Sequence, residues 1–217
     1  MNASIHQTLR ERLYEEIVRM IVSGELPGGA EIEEKALIER LQVSRTPFRE
    51  ALSTLAKEGL IEIRPYRGFF VRSFSRKEIN DLYELRKTLE CLAVHLAVPL
   101  MSNRDIEQLG ETLNAAVAAL KRGDLVAYGQ EDRRFHETIA ELSDNRALIE
   151  TLARLGLQIQ LGRTIANEDR TLAKRAAKER DAILAAFRTR DSDAAEALMR
   201  DHIADVQQAV LSRYPEA

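Results

Sequence analysis

Val43-Ser44-Arg45-Thr46-Pro47-Phe48-Arg49-Glu50-Ala51-Leu52 is the stretch whose reading decides the fold. Ser44 offers a hydroxyl N-cap, and Pro47 stands in the first turn that follows, where a missing N–H costs nothing. On a helix beginning at Arg45, the 3.6-residue period turns Val43, Phe48, Ala51, Leu52 and Leu55 inward. Arg45, Thr46, Arg49 and Ser53 then share the opposite face. Two guanidinium groups on that face can each grip a guanine edge or a phosphate. The free N–H groups at the helix start also favour a phosphate.

Upstream of this segment, Leu9, Leu13, Ile17 and Ile21 form one apolar stripe on a first helix, which Ser23-Gly24-Glu25-Leu26-Pro27-Gly28-Gly29 breaks. A short second helix carries Ile32, Ala36, Leu37 and Leu41, and Gln42-Val43 leaves room only for a turn before the third. Gly59 ends the third helix. Leu60–Arg64 and Gly68–Arg72 alternate at period two around Pro65-Tyr66-Arg67, a small hairpin tipped by Tyr66, Arg67 and Gly68. Helix, turn, helix and hairpin make a winged helix-turn-helix, whose second helix enters the major groove.

Charge distribution agrees with that reading better than total charge does. The 217-residue chain has a formal net charge of −3, yet Arg40, Arg45, Arg49, Lys57, Arg64, Arg67 and Arg72 outnumber Glu50, Glu58 and Glu62 across this region. The remaining composition, 45% hydrophobic and 31% charged, is that of a soluble globular protein. No run of apolar residues is long enough to span a membrane, and the N-terminal residues have no secretory signal character. The single cysteine, Cys91, falls in an apolar helical pattern and reads as a buried structural thiol. A cytoplasmic protein is expected.

After Ser73 the strand signal stops, and six helices follow. Ser75 and Glu78 form a capping box for roughly 76–99, and Asn103 opens a helix to about Arg122. Gly123-Asp124 starts the next, to about Ser143, and Asn145 another, to about Ala166. A fifth runs from Asn167 to about Arg190, and Asp193 with Glu196 begins the last, which ends before Pro215. Short connections between long amphipathic helices predict an antiparallel bundle. The fold class is thus mainly α, with a DNA-binding domain over 1–73 and an all-α effector-binding and dimerisation domain over 76–214.

On the bundle, Asp132 and His136 lie four residues apart on one helix face. With His202 on the last helix they can supply three ligands to a divalent metal, with open positions for water or a ligand. His95, among Leu92, Val94, Leu96 and Val98, reads as a satisfied helix histidine, and His6 as an exposed one. Tyr83 and Tyr128 either line a pocket or pack. No nucleophile with a positioned base appears, nor any glycine-rich phosphate loop after a strand, so an enzyme is not expected. Two other classes stay in view: a helical metalloenzyme built on Asp132, His136 and His202, and a protein-interaction module with a vestigial winged helix.

The spacing of Ser23–Gly29, Val43–Leu52, Leu55, Glu58-Gly59-Leu60 and Gly68-Phe69-Phe70-Val71 resembles the GntR-family winged helix over nearly all of 8–72. Gly28-Gly29 departs mildly, since the family often has Pro-Gly there. The resemblance implies a homodimeric repressor or activator on a short palindrome in double-stranded DNA. It implies Lys35, Arg45, Thr46 and Arg49 as contacts, with Arg67 from the wing; Ser44, at the start of the reading helix, completes the expected set.

Leu85–Glu90, Asp132-Arg133-Arg134-Phe135-His136, Ser143-Asp144-Asn145 and Asp193–His202 are similar to the FadR C-terminal domain (FCD) subfamily. Many of its members hold a metal on one Asp and three His, which helps bind a carboxylate effector. Asp132, His136 and His202 match; the remaining histidine position is Arg180. Arginine cannot ligate a metal, and its charge repels one. A small anionic effector, clamped by Arg180 and Arg86 in a pocket with Asp132, His136 and His202, is therefore preferred. A weakly held divalent ion (Zn or Ni) on Asp132, His136 and His202 is the alternative.

Overall fold

The computed structural model describes residues 8–167 and 170–214, the side chains of 163–167 excepted. His6 lies outside the described residues. The chain forms two compact units that divide between Phe74 and Ser75.

In the first unit, α1 (Leu9–Val22) starts from a capping box in which Thr8 and Glu11 satisfy each other's backbone N–H groups. Leu13, Ile17, Met20 and Ile21 form its buried stripe. Leu9, expected on that stripe, is 42% exposed in the first turn. Helix α2 (Glu34–Leu41) buries Leu37; Ala36 faces outward, and Ile32 packs from the segment before the helix. Gln42 takes a left-handed conformation at φ 50°, the turn that the short Gln42-Val43 link requires. Helix α3 (Arg45–Lys57) buries Phe48, Ala51, Leu52 and Leu55, while Val43 is only half-buried. Strands β1 (Ile61–Arg64) and β2 (Gly68–Val71) pair antiparallel, Ile61 opposite Val71 and Arg64 opposite Gly68. A bridge from Glu31 to Phe70 adds extended backbone on the other edge of β2, with Ile32 N–H donating to the Phe69 carbonyl at 2.8 Å. The segment before α2 thereby ties the wing to the helices.

The second unit is helical throughout its described residues: α4 (Arg76–Ala97), α5 (Asn103–Arg122), α6 (Leu125–Leu142), α7 (Arg146–Asn167), α8 (Arg170–Arg188) and α9 (Ser192–Leu211). Helix α4 packs on α9 and α6, α5 on α6 and α8, and α8 on α9. The expected Ser75–Glu78 box caps α4. Asp124 caps α6 and Asn145 accepts from the Leu148 N–H at 3.1 Å, both as expected, but the caps of α5 and α9 lie one or two residues earlier than anticipated. Ser102 and Asp105 make the box for α5, in place of an opening at Asn103. Asp191 caps α9 by accepting from the Ala194 N–H at 2.9 Å, in place of Asp193 with Glu196. In both cases the short acceptor side chain belongs outside the helix, where an extended backbone lets it fold back onto a free N–H. Asn167 ends α7 rather than opening α8. Arg76, at the start of α4, donates to the Leu211 and Tyr214 carbonyls at 2.6 and 2.9 Å, satisfying the end of α9.

Candidate nucleic-acid interface and buried polar site

Arg45, Thr46 and Arg49 stand exposed on α3, and Lys35 and Arg67 are exposed on α2 and at the hairpin. Ser53 leaves this set: half-buried, it donates to the Arg49 carbonyl at 2.7 Å within its own helix. Ser44 occupies the N-cap position of α3 but makes no side-chain capping bond, and no acidic residue stands in the first turn. The positive end of the helix dipole and the Ser44 hydroxyl are therefore left to meet an anion, beside Arg45. Arg49 is positioned rather than loose. Its Nε lies 3.1 Å from Glu34 of α2, and its guanidinium sits 5.6 Å from the centre of the Phe69 ring. Arg67 lies over Phe70, 5.7 Å from the ring centre. Lys35 and Arg67 share a notch of about 500 Å³, but Glu31, Glu33, Glu34 and Glu39 line it too. Four carboxylates against two cations do not draw a phosphate into the notch itself.

In the helical unit the principal feature is a pair of buried arginines, Arg86 on α4 and Arg180 on α8, 1% and 0% exposed. Such charges persist only when paired. Arg86 Nε donates to Glu90 Oε1 at 2.7 Å, and the other Glu90 oxygen meets His136 Nδ1. Arg180 Nη1 donates to Asp132, and Nη2 donates to the Tyr128 hydroxyl at 2.8 Å, which in turn donates to the Ala173 carbonyl at 3.1 Å. Phe135 and Tyr128 offer their ring faces to Arg180, and Tyr83 does so to Arg86. His202 Nδ1 lies 2.8 Å from Glu179 Oε2, and its ring lies nearly parallel to that of His136, 5.5 Å between centres.

Burial sets the electrostatics. It lowers the His202 pKa below the usual histidine value, with Arg180 and Arg86 pushing the same way against Glu179. It raises the Tyr128 hydroxyl to about 12, although Arg180 works against that rise. Burial opposes the charge on Arg86, but Glu90, Tyr83 and Asp132 outweigh it and raise its pKa further. Two guanidinium N–H sites, Arg86 Nη1 and Arg180 Nε, are buried without a hydrogen-bond partner among the described residues. Each such donor costs about 1–3 kcal/mol until an acceptor reaches it.

All five residues expected at the effector site are buried in this unit. Asp132 is the counter-ion of Arg180 and not an open metal ligand. Among the described residues, no three His, Cys, Asp or Glu side chains come together to hold a cation. With the Arg180 guanidinium already on Asp132, the set of Asp132, His136 and His202 does not fit a divalent metal, because that fixed positive charge repels one. Glu90 and Glu179 were missed as site residues. Glu90 stands four residues after Arg86, a spacing that marks a helical ion pair; Glu179 meets His202 only across two helices, which no local pattern reveals. A cavity of about 270 Å³ reaches Glu90 and His136, walled by Glu137 and Ala140 of α6 and by Ile149, Leu152 and Ile159 of α7. His95 is half-exposed, with Glu196 at 3.4 Å, and Cys91 is buried, its thiol pKa pushed up to about 11 by that burial.

Comparison with known proteins gives the same division of the chain. Residues 9–71 match the family described as bacterial regulatory proteins, gntR family, and residues 81–205 match the FCD domain. The HTH-type transcriptional repressor RspR of Escherichia coli is 27% identical over 204 residues, covering 94% of this chain and 90% of that protein. The Nta operon transcriptional regulator of Aminobacter aminovorans is 34% identical over 156 residues, covering 71% and 73%. Among solved structures, E. coli McbR/YncC superposes with a TM-score of 0.78 at 25% identity, covering 95% of this chain and 98% of that one.

Proposed function

The chain belongs to the GntR family of bacterial regulatory proteins, FCD subfamily, and from that premise we propose that it is a homodimeric repressor released from its operator by a small carboxylate, with no metal in the effector site. It is a DNA-binding transcription regulator with a ligand-sensing C-terminal domain; the family and the relatives are regulators, not enzymes. Repression follows the relative named a repressor. No described helix is long and apolar enough to cross a membrane, in keeping with a cytoplasmic regulator.

In this reading Arg45, Thr46 and Arg49 meet base edges from α3. Ser44 and the α3 N-terminus take a phosphate, and Lys35 and Arg67 add contacts from α2 and the wing. Two copies suit a palindrome, since a two-fold protein repeats its contacts on each half-site.

The observation that carries the effector assignment is the pair of buried, unpartnered N–H donors on Arg86 and Arg180. A carboxylate supplies acceptors to such donors and a charge to the guanidinium groups behind them. In members of the subfamily that hold a metal, that ion supplies the positive charge; here Arg180 supplies it in cis. Ligand binding then shifts DNA affinity only to the extent that the two conformations of the bundle bind the ligand differently.

The test combines selection of a duplex from a random pool with elemental analysis of the purified protein. A palindromic duplex whose binding weakens steeply with salt, and which short mono- and dicarboxylates release in the presence of a chelator, is expected. Failure to enrich any duplex would overturn the operator reading. Near-stoichiometric zinc or nickel, or release by carboxylates only when metal is added, would overturn the metal-free site.

A further inference from the structure

The cavity that reaches Glu90 and His136 has walls of two kinds. On α7, Leu152 and Ile159 stand three and ten residues after Ile149, within about a quarter turn of it around the helix, so the three form one apolar face. Ile159 is buried, and Ile149 and Leu152 are half-buried. On α6, His136 and Ala140 share a face by their four-residue spacing and are buried, while Glu137 and Glu141, one position further round, are exposed. The cavity thus has a buried polar end at Glu90 and His136, apolar sides, and an open end marked by two carboxylates.

The polar end suits one anionic group. Arg86 stands one hydrogen bond behind it, its Nε donating to Glu90 at 2.7 Å and its Nη1 buried without a hydrogen-bond partner among the described residues. The rest of the described lining holds no lysine or arginine. Glu137 is already paired with Arg133 at 2.6 Å, but Glu141 has no ion pair among the described residues. A second acid group at the far end of a ligand would therefore exchange water for an apolar wall and the Glu141 carboxylate, with no cation to receive it. A hydroxyl-rich tail meets the same wall: Ile149, Leu152 and Ile159 have no hydrogen-bonding side chain, and the helical backbone behind them is already bonded. An alkyl tail gives up nothing on entry, and each methylene that leaves water tightens binding about fourfold. The cavity of about 270 Å³ holds roughly nine water-sized groups at ~30 Å³ each.

We propose that the effector is a monocarboxylate with an apolar tail of about five or six carbons, its carboxylate at the Arg86 end and its tail against Ile149, Leu152 and Ile159 of α7. The proposal rests on the reading of the effector as a carboxylate and narrows it: the tail wall, not the head site, selects against dicarboxylates, hydroxy acids and sugar acids. It also gives α7 a part in sensing. The head is held from α4 and the tail by α7, so the bound ligand ties the two helices together.

The experiment is titration calorimetry of the full-length protein with acetate, butanoate, hexanoate, adipate and hexan-1-ol, in the presence of a chelator. Affinity should rise about fifteenfold from acetate to butanoate and again to hexanoate, two methylenes at each step. Adipate and hexan-1-ol should each bind at least about tenfold more weakly than hexanoate, the first for its second charge and the second for lack of a carboxylate. Glu141→Gln, at an exposed position, should raise the affinity for adipate relative to hexanoate severalfold. Leu152→Gln should flatten the chain-length series while the helical circular dichroism is retained. Equal affinities along the wild-type series, or adipate as tight as hexanoate, would overturn the apolar tail and leave the carboxylate reading standing. A series that keeps its slope in Leu152→Gln would overturn α7 as the tail wall. Hexan-1-ol as tight as hexanoate, or no binding by any of the acids, would overturn the carboxylate reading and the proposal with it.

Discussion

Replacing Arg180 with methionine tests the buried polar site most directly. The guanidinium is fully buried, donates to Asp132 and to the Tyr128 hydroxyl, and lies against the faces of Tyr128 and Phe135. Methionine fills a similar volume, so the void it leaves is small. What remains is a carboxylate, 5% exposed, deprived of its cation. Breaking a buried ion pair in this way costs about 3–5 kcal/mol, whereas replacing both partners by apolar groups is often neutral. The single variant should therefore lose about 3–5 kcal/mol of stability, and Arg180→Met with Asp132→Leu should recover most of it. At roughly 2–4 °C per kcal/mol, the single variant should melt about 10 °C below the wild type. Urea denaturation followed by circular dichroism at pH 7.5 provides the double-mutant cycle with Asp132→Leu alone. A loss below about 1 kcal/mol for Arg180→Met, with additive effects in the cycle, would refute the claim that Arg180 and Asp132 are a coupled buried pair.

Arg49→Ala should lower affinity for the selected duplex by about 10- to 100-fold and lower the melting temperature by only a few degrees, since what it loses within the protein is a solvent-exposed ion pair with Glu34 and a contact with the Phe69 ring; fluorescence anisotropy showing unchanged affinity would sink the recognition-helix assignment. His202 is held neutral by burial, so its folded pKa lies below the unfolded value near 6.5. As pH falls through about 6.5 the unfolded chain takes up a proton that the folded one refuses; the contribution is full above that pH and is lost toward the folded pKa. His202→Gln should flatten the stability loss between about pH 7 and pH 5, and an unchanged slope would remove His202 as its source. A Cβ at Gly162 would fall 2.6 Å from the Tyr83 hydroxyl, so Gly162→Ala should cost about 1–3 kcal/mol by denaturant titration. Cys91, with its thiol pushed up to about 11, should react with Ellman's reagent at pH 8 only after unfolding.

Much of the fold is written locally. In α3, the spacing of Phe48, Ala51, Leu52 and Leu55 places the buried face, and therefore leaves Arg45, Thr46 and Arg49 outside. The hairpin follows from period-two alternation and the turn residues between its strands. Cap positions were less legible, because Ser102 and Asn103, or Asp191 and Asp193, offer similar acceptors a residue or two apart. Only the backbone conformation at the helix start selects between them. Leu9 and Ala36 fit the apolar stripes by type but are exposed in the folded unit.

The sequence by itself determined the reading helix, the six helices that follow it and the residue types that meet inside the bundle, including the arginine where a histidine was expected. Those properties depend on neighbours within about four positions, or on the identity of one side chain, and a linear chain displays both. Only the tertiary structure decided what these residues do to one another. Arg180 meets Asp132 across 48 positions, His136 meets Glu90 across 46 and His202 meets Glu179 across 23. Each pairing gives one of these side chains a counter-ion or a hydrogen-bond partner. The reason is dielectric: inside the bundle a charge is stable only beside its opposite, and which opposite lies within reach depends on how the helices pack.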